Sequence, residues 1–389
     1  MASVALPITS FVKTGPGSAI AGAIVASEDL QGSRLGQSPL AQRSHLAALD
    51  GLRGIAAISV VFFHLGHWLG VPGLATNSGL AVDLFFCLSG YVLCVAYQDR
   101  LNHGLSEMAF LKVRLIRLWP LMALATVMSF VFVGLRLVVK DQSINIDLLI
   151  LALVLGILSL PFFNAPAEIG GPQVFPLNGP QYTLFLELLA NMVWLIERRM
   201  ALRWLTGLMT AMALSLVVVM GLGGDQTSDF WSGVPRVLGS YFLGVMIYSF
   251  RPRISPCAGK LLFSAGLLLM LSLFYMPLAA PLGLNMLWIA VVSPALVLSG
   301  AGVELSPLWK GAALWLGRLS YPIYALHYPI FCWANGLYLS WFGHRDVFFE
   351  IPLCLAAILL GSLGALVLFD EPVRAFLSSI RRQRPALVC

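Results

Sequence analysis

Eleven apolar stretches, each close to the length of about 20 residues that crosses roughly 30 Å of hydrocarbon, run through this chain. They lie near 54–70, 79–97, 115–135, 146–163, 182–196, 204–222, 237–250, 261–279, 284–300, 319–338 and 349–369. Lipid offers the peptide group no hydrogen-bond partner, and these runs are too long for barrel strands, so segments that cross must be α-helices. The rest of the chain cannot clothe a soluble body. Of 389 residues, 59% are apolar and 11% charged, against roughly 25% charged in an ordinary soluble chain. The sequence therefore predicts an all-α polytopic membrane protein. Its net charge of +6 is spread thinly, which argues against nucleic acid as a partner. The six cysteines, Cys87, Cys94, Cys257, Cys332, Cys354 and Cys389, show neither CxxC spacing nor a disulfide framework, and no metal site is expected.

Basic residues set the expected orientation, because short cytoplasmic loops carry the excess of Lys and Arg. Residues 1–46, rich in Gly, Ser, Ala and Pro and carrying Lys13, Arg34 and Arg43, read as a flexible cytoplasmic extension. The lone GPG at Gly15–Gly17 reads as linker. If all eleven stretches cross from an inside amino terminus, 14 of the 24 basic residues fall outside. If one stretch folds back instead, only Arg136, Lys140, Arg236 and Arg345 stay outside. The expectation is about ten transmembrane helices plus one re-entrant or interfacial segment near 146–163, in the inner membrane, with both termini cytoplasmic. The membrane domain then spans 47–376 and a cytoplasmic tail 377–389.

An ionisable group inside a span costs about 2.5 to 3.5 kcal/mol on insertion scales, so each is a functional candidate. His64, His67, Asp83, Glu187 and His327 qualify. In LDGLRGIAAISVVFFHLGHW, Arg53 and His64 lie eleven positions apart, about 16 Å along one helix face. An imidazole at that depth can take a proton from a hydroxyl, or it can bridge two helices; both readings stand. DLFFCLSGYVL brings Asp83, Ser89 and Tyr91, whose small and hydroxyl groups suit either close packing or a substrate. Arg114 and Arg117 sit one turn apart, a fork suited to phosphate or to anionic lipid.

Glu187 and Asn191 share a helix face after the Asn178–Pro180 loop and can satisfy each other. Arg236 can pair with Glu187 or meet an anionic substrate. In LGRLSYPIYALHYPIF, Tyr321, Tyr324 and His327 form a polar stripe, with a kink expected at Pro322. DEPVR, Asp370–Arg374, reads as a helix stop plus anchor.

Taken together and in order, LDGLRGIAA with His64, DLFFCLSGY, RLIRLWP, LNGP to Glu187, LGRLSYPIYALHYP and DEPVR resemble the acyltransferase 3 family of integral membrane acyltransferases. The likeness covers roughly residues 47–376. It implies an enzyme moving an acyl group, acetyl foremost, from cytoplasmic acyl-CoA to a saccharide hydroxyl of an exported polysaccharide or its lipid-linked precursor. No tightly bound cofactor is implied; acyl-CoA is the donor substrate, and membrane lipid surrounds the enzyme. It further implies His64, Arg53 and Glu187 as catalytic and Arg114 and Arg117 as donor-binding residues. Asp83, Ser89, Tyr91, Arg236, Tyr324 and His327 are the residues expected to line the substrate. The QYTL at Gln181–Leu184 departs from a Trp-Ser-Leu common in the family. With no appended hydrolase-like domain, a separate polysaccharide-export or acylation partner is a further expectation. The rivals are a transporter or flippase with His and Glu as proton-relay groups, and an idle membrane scaffold.

Overall fold

The computed structural model describes residues 46–139, 143–200, 202–250 and 252–383, all within one compact unit that begins at Leu46. The expected extension over residues 1–46 lies, but for Leu46, outside the described residues. Among the described residues, ten helical rods of 18 residues or more make up the body. They are α1 Ala47–Trp68, α2 Ala81–Asn102, α3 Glu107–Val139, α5 Gln181–Met200, α6 Arg203–Met220, α7 Phe230–Phe250, α8 Pro256–Phe274, α9 Leu282–Gly300, α10 Pro307–Phe342 and α11 Val347–Ala365. Two shorter helices complete the set, α4 Ile146–Ile157 and α12 Glu371–Gln383. Among the described residues no strand forms beyond an isolated bridge between Gln173 and Gln226.

Six of the helical segments are both long and apolar enough to cross a membrane: those of α1, α2, α3, α8, α9 and the last, Val347–Ser379. The count of about ten rests on four more, α5, α6, α7 and α10. These have nearly the length or more, but carry polar groups or fall just short. The stretch near 146–163 forms only the 12-residue α4, about 18 Å long at 1.5 Å per residue and well short of the bilayer. Asn145 caps its start by accepting from the amides of Asp147 and Leu148. It ends where Ser159 turns to φ +55° ahead of Pro161.

Small residues fix the packing. α1 and α10 run parallel and touch along most of α1. A Cβ on Gly54 would sit 2.5 Å from Leu316 Cβ, and one on Gly317 would sit 2.5 Å from Asp50 Cβ. Leu52, Ala56, Ala57, Val60, Val61 and Leu65 fill the space behind this seam. α2 and α7 approach as closely. A Cβ on Gly90 would lie 2.1 Å from the Tyr241 carbonyl oxygen, and one on Gly244 would lie 2.0 Å from that of Cys87. SGY is thus at least a packing motif.

α10 stays helical through Pro322 and Pro329. One expectation changes. DEPVR does not stop the last helix, because a π-turn over Leu366–Asp370 carries α11 into α12. The π-turn redirects Asp370, which is buried and paired with Arg374 one turn on at 2.7 Å. The first residues of the expected tail, through Gln383, are therefore helical.

Gly90→Ala and Gly244→Ala should each destabilise the protein by about 1–3 kcal/mol or more through overpacking. Thermal unfolding of detergent-solubilised protein would show this as a lowered Tm. An unchanged midpoint would mean that α2 and α7 are not in close contact.

Candidate functional site

At the amino-terminal end of α1, four arginines from three helices converge: Arg53 on α1, Arg114 and Arg117 on α3, and Arg374 on α12. Arg117 lies within electrostatic reach of Arg53, Arg114 and Arg374. Three of the four already have carboxylate partners. Arg53 donates from Nη2 to Asp50 at 2.9 Å and to the Gly317 carbonyl at 2.8 Å, and from Nε to Ser320 at 2.8 Å. That leaves only its Nη1 hydrogens uncommitted. Arg114 is buried and donates to Glu187. Arg374 pairs with Asp370. Arg117 has no carboxylate partner among the described residues, and its side chain stays accessible within this ring of charge.

Glu187 is held from two sides. Ser89 Oγ donates to its Oε1 at 2.6 Å, and Arg114 donates to the same oxygen. Asn191 is not its partner; that amide accepts instead from the Tyr241 hydroxyl at 3.1 Å. Tyr91 lies partly buried against the core around α2. One level deeper, the Tyr321 hydroxyl donates to the Leu118 carbonyl and ties α10 to α3.

About three turns along α1 from Arg53, two imidazoles face each other across the α1–α10 seam, with ring centroids of His64 and His327 4.9 Å apart. Trp68 stacks on both, at 4.9 Å from His64 and 5.8 Å from His327. His327 Nδ1 lies 2.9 Å from the Tyr324 carbonyl and 3.2 Å from that of Ile323. Carbonyl oxygens only accept, so Nδ1 carries the proton and Nε2 presents a bare lone pair. That Nε2 is buried and has no hydrogen-bond partner. Below it, the Tyr324 and Thr183 hydroxyls share a proton at 2.7 Å. His67, in contrast, is exposed.

Asp83 and Arg236 form a separate centre. Arg236 donates to both carboxylate oxygens, at 2.6 to 3.2 Å, Ser240 adds a bond at 3.0 Å, and both charged groups are buried. The expected alternative of Arg236 pairing with Glu187 is corrected by this geometry, because each has its own buried counter-ion. Two charges moved out of water need full compensation, and these two supply it to each other.

This arrangement now has relatives. A family model for the acyltransferase domain matches residues 46–369. The chain belongs to the acyltransferase 3 family. Protein 2 in the picA locus of Rhizobium radiobacter is 38% identical over 181 residues, covering 44% of this chain and 91% of that protein. No solved structure matches the chain. The protein is thus a membrane acyltransferase, and these comparisons lend no support to the transporter reading.

In this acyltransferase the sequence motifs resolve into three groups: the arginine end, the histidine pair, and the Asp83–Arg236 pair. Sequence reasoning missed the anchoring of Arg53 by Ser320 and the place of Trp68 against the imidazoles. Trp68 lies four residues after His64, which puts it on the same helix face, a signal that was present. Thr183 was noted only as a departure from the family pattern, yet its hydroxyl sits where Tyr324 needs a partner. Glu350, fully buried and 3.7 Å from Arg345, was also overlooked among intramembrane carboxylates.

Removing one member of the Asp83–Arg236 pair should cost about 3–5 kcal/mol by stranding a buried charge. Asp83→Leu combined with Arg236→Met should recover most of the loss. Thermal unfolding of the three variants measures this. A double variant no more stable than either single one would mean that the pair does more than balance charge.

Proposed function

We propose that this acyltransferase moves an acetyl group from acyl-CoA to a saccharide hydroxyl, with donor phosphates on the arginine end and the reaction at the histidine pair. The observation that carries this reading is Arg117, an accessible guanidinium without a carboxylate partner among the described residues and within electrostatic reach of three other arginines. Such a cluster attracts polyanions, and a guanidinium fork suits phosphate. Arg53 contributes its free Nη1 hydrogens. Arg114, committed to Glu187, acts through position and not as an open phosphate ligand. Glu187 keeps Arg114 and Ser89 in place next to the donor path.

Arg53 to His64 is a rise of about 16 Å along α1, which the extended pantetheine arm of CoA can cover. There His64 acts as general base. It takes the proton from the acceptor hydroxyl as that oxygen attacks the thioester carbonyl. The tetrahedral adduct then collapses, the carbon–sulfur bond breaks, and the imidazolium returns the proton to the leaving thiolate. His327, fixed by the Tyr324 carbonyl with Nε2 bare, offers a lone pair that orients His64 or the incoming hydroxyl. The arginine end faces the cytoplasm in this reading, where acyl-CoA is found. The acceptor is a unit of an exported polysaccharide or its lipid-linked precursor, supplied directly or through a partner protein.

The purified protein, given acetyl-CoA and acceptor glycan, reports the reaction through release of free thiol. His64→Ala should lower that rate about 100-fold or more, the usual contribution of a general base. Arg117→Ala should raise KM for acetyl-CoA by about 10- to 100-fold, the weight of one or two charge-assisted hydrogen bonds. A fully active His64→Ala enzyme would sink the mechanism. An unchanged KM in Arg117→Ala would move the donor elsewhere.

A further inference from the structure

A cavity of about 250 Å³ opens at the opposite end of α3 from the arginines, between α3, α10 and the 167–177 loop. Its polar lining comes from Ser129 and Arg136 on α3 and Tyr328 and Cys332 on α10, with Phe132 as an apolar wall. Arg136 lies 19 residues beyond Arg117, about 28 Å along α3, which is close to the hydrocarbon thickness. The cavity and the arginine end therefore sit at opposite ends of the membrane rods.

Three observations mark the cavity as built to hold something. Its loop wall is tightly set: Gly170 takes φ +106°, and a Cβ there would lie 2.1 Å from the Pro176 carbonyl oxygen. The loop is pinned further by Phe162 N donating to Val174 O and by Val174 N donating to Asp225 O, both at 2.7 Å. Ser129, 2% exposed, lines the space, and its Oγ has no hydrogen-bond partner. Such a buried orphan hydroxyl costs free energy unless a ligand or water answers it. Finally, the cavity adjoins the histidines through aromatic rings. Tyr328 meets Trp68 edge to face at 5.4 Å, and Trp68 stacks on His64 at 4.9 Å.

We infer that this cavity holds the acceptor as a single sugar ring bearing an acidic group, with Trp68 standing between it and the two imidazoles. This rests on the acyltransferase reading above, and it names the class of acceptor. The chemistry follows from the lining. An amphipathic tyrosine presents an apolar ring face and a hydroxyl together, Ser129 answers a ring hydroxyl, and Arg136 meets a carboxylate or phosphate. A volume of 250 Å³ lies at the small end of ligand sites, suited to one ring and not to a folded oligosaccharide. Donor and acceptor then reach the histidine pair from opposite sides, and Trp68 decides how far the acceptor hydroxyl advances toward His64.

Thiol protection tests this in the whole protein. Ala167 is exposed and lines the cavity. Ala167→Cys would be introduced with Cys257→Ser, Cys332→Ser and Cys389→Ser, the other cysteines being buried, and labelled with a water-soluble maleimide. D-glucuronate or glucose 1-phosphate, at roughly ten times its dissociation constant, should slow labelling about ten-fold. Glucose should protect far less. Arg136→Gln in the same background should weaken protection by the acidic sugars about ten-fold, the loss expected for one charged hydrogen bond. Glucuronate alone or the phosphate alone protecting identifies the acidic group as carboxylate or phosphate and supports the site. Equal labelling with and without every sugar overturns it, and equal protection by glucose overturns the acidic class. Acetyl-CoA binding to the same preparation is measured in parallel. Sugar protection without acetyl-CoA binding would leave the cavity standing and remove the donor reading, whereas the converse would remove only the cavity.

Discussion

The glycine seam between α1 and α10 is the contact on which the rest depends. Gly54 and Gly317 let two parallel backbones approach to a distance at which a single added Cβ would collide. Only then can Arg53 reach Ser320 and the Gly317 carbonyl, and only then do His64 and His327 stand ring to ring. In lipid, helix association gains little from hydrophobic burial and relies on close packing of small residues. The same seam therefore provides stability and brings the imidazoles together. Because the helices are parallel, groups spaced along α1 meet groups spaced equally along α10, and polar chemistry stays confined to one stripe.

Charge is handled in a consistent way away from that stripe. Asp83 with Arg236, Glu187 with Arg114, and Asp370 with Arg374 are pairs in which at least one member is buried. Each pair joins or braces helices at a depth where an unpaired charge would be expensive. In the proposed mechanism the chemistry is left to groups with no hydrogen-bond partner for the relevant atoms among the described residues: the guanidinium of Arg117, the Nε2 of His327 and the imidazole of His64. On that reading, satisfied charge marks the scaffold and unsatisfied polarity marks the place for substrate.

Much of this was legible beforehand. The apolar runs pointed to the helical membrane architecture, and of the two histidines in LDGLRGIAAISVVFFHLGHW it is His64, three turns from Arg53, that meets His327 across the seam. Pairing between helices was not legible, because partners for Arg236 and Glu187 lie 153 and 73 positions away, and hydropathy carries no information on contact. The helix stop expected at DEPVR failed for a related reason: Pro372 sits in the first turn of α12, where a missing amide hydrogen is harmless. The 146–163 stretch was apolar enough to cross, and only the turn at Ser159 and Pro161 shortens it.

The placement of open groups also explains why the middle of the protein is aromatic. If the proposed thioester and hydroxyl met in bulk water, the hydroxyl would compete with water for the acyl carbon. Phe63, Trp68, Phe331 and Tyr324 surround the imidazoles with rings, which exclude water while leaving the histidine lone pairs in a low dielectric where each hydrogen bond counts for more. Neutral imidazoles tolerate such a setting better than carboxylates do, since no permanent charge has to be buried. In the proposed mechanism, a base at mid-membrane depth is therefore better built from histidine than from a carboxylate, with the second imidazole held by a backbone carbonyl and not by an acid. That is the arrangement around His327, where Tyr324 and Ile323 supply the acceptors that an aspartate supplies in water-exposed sites.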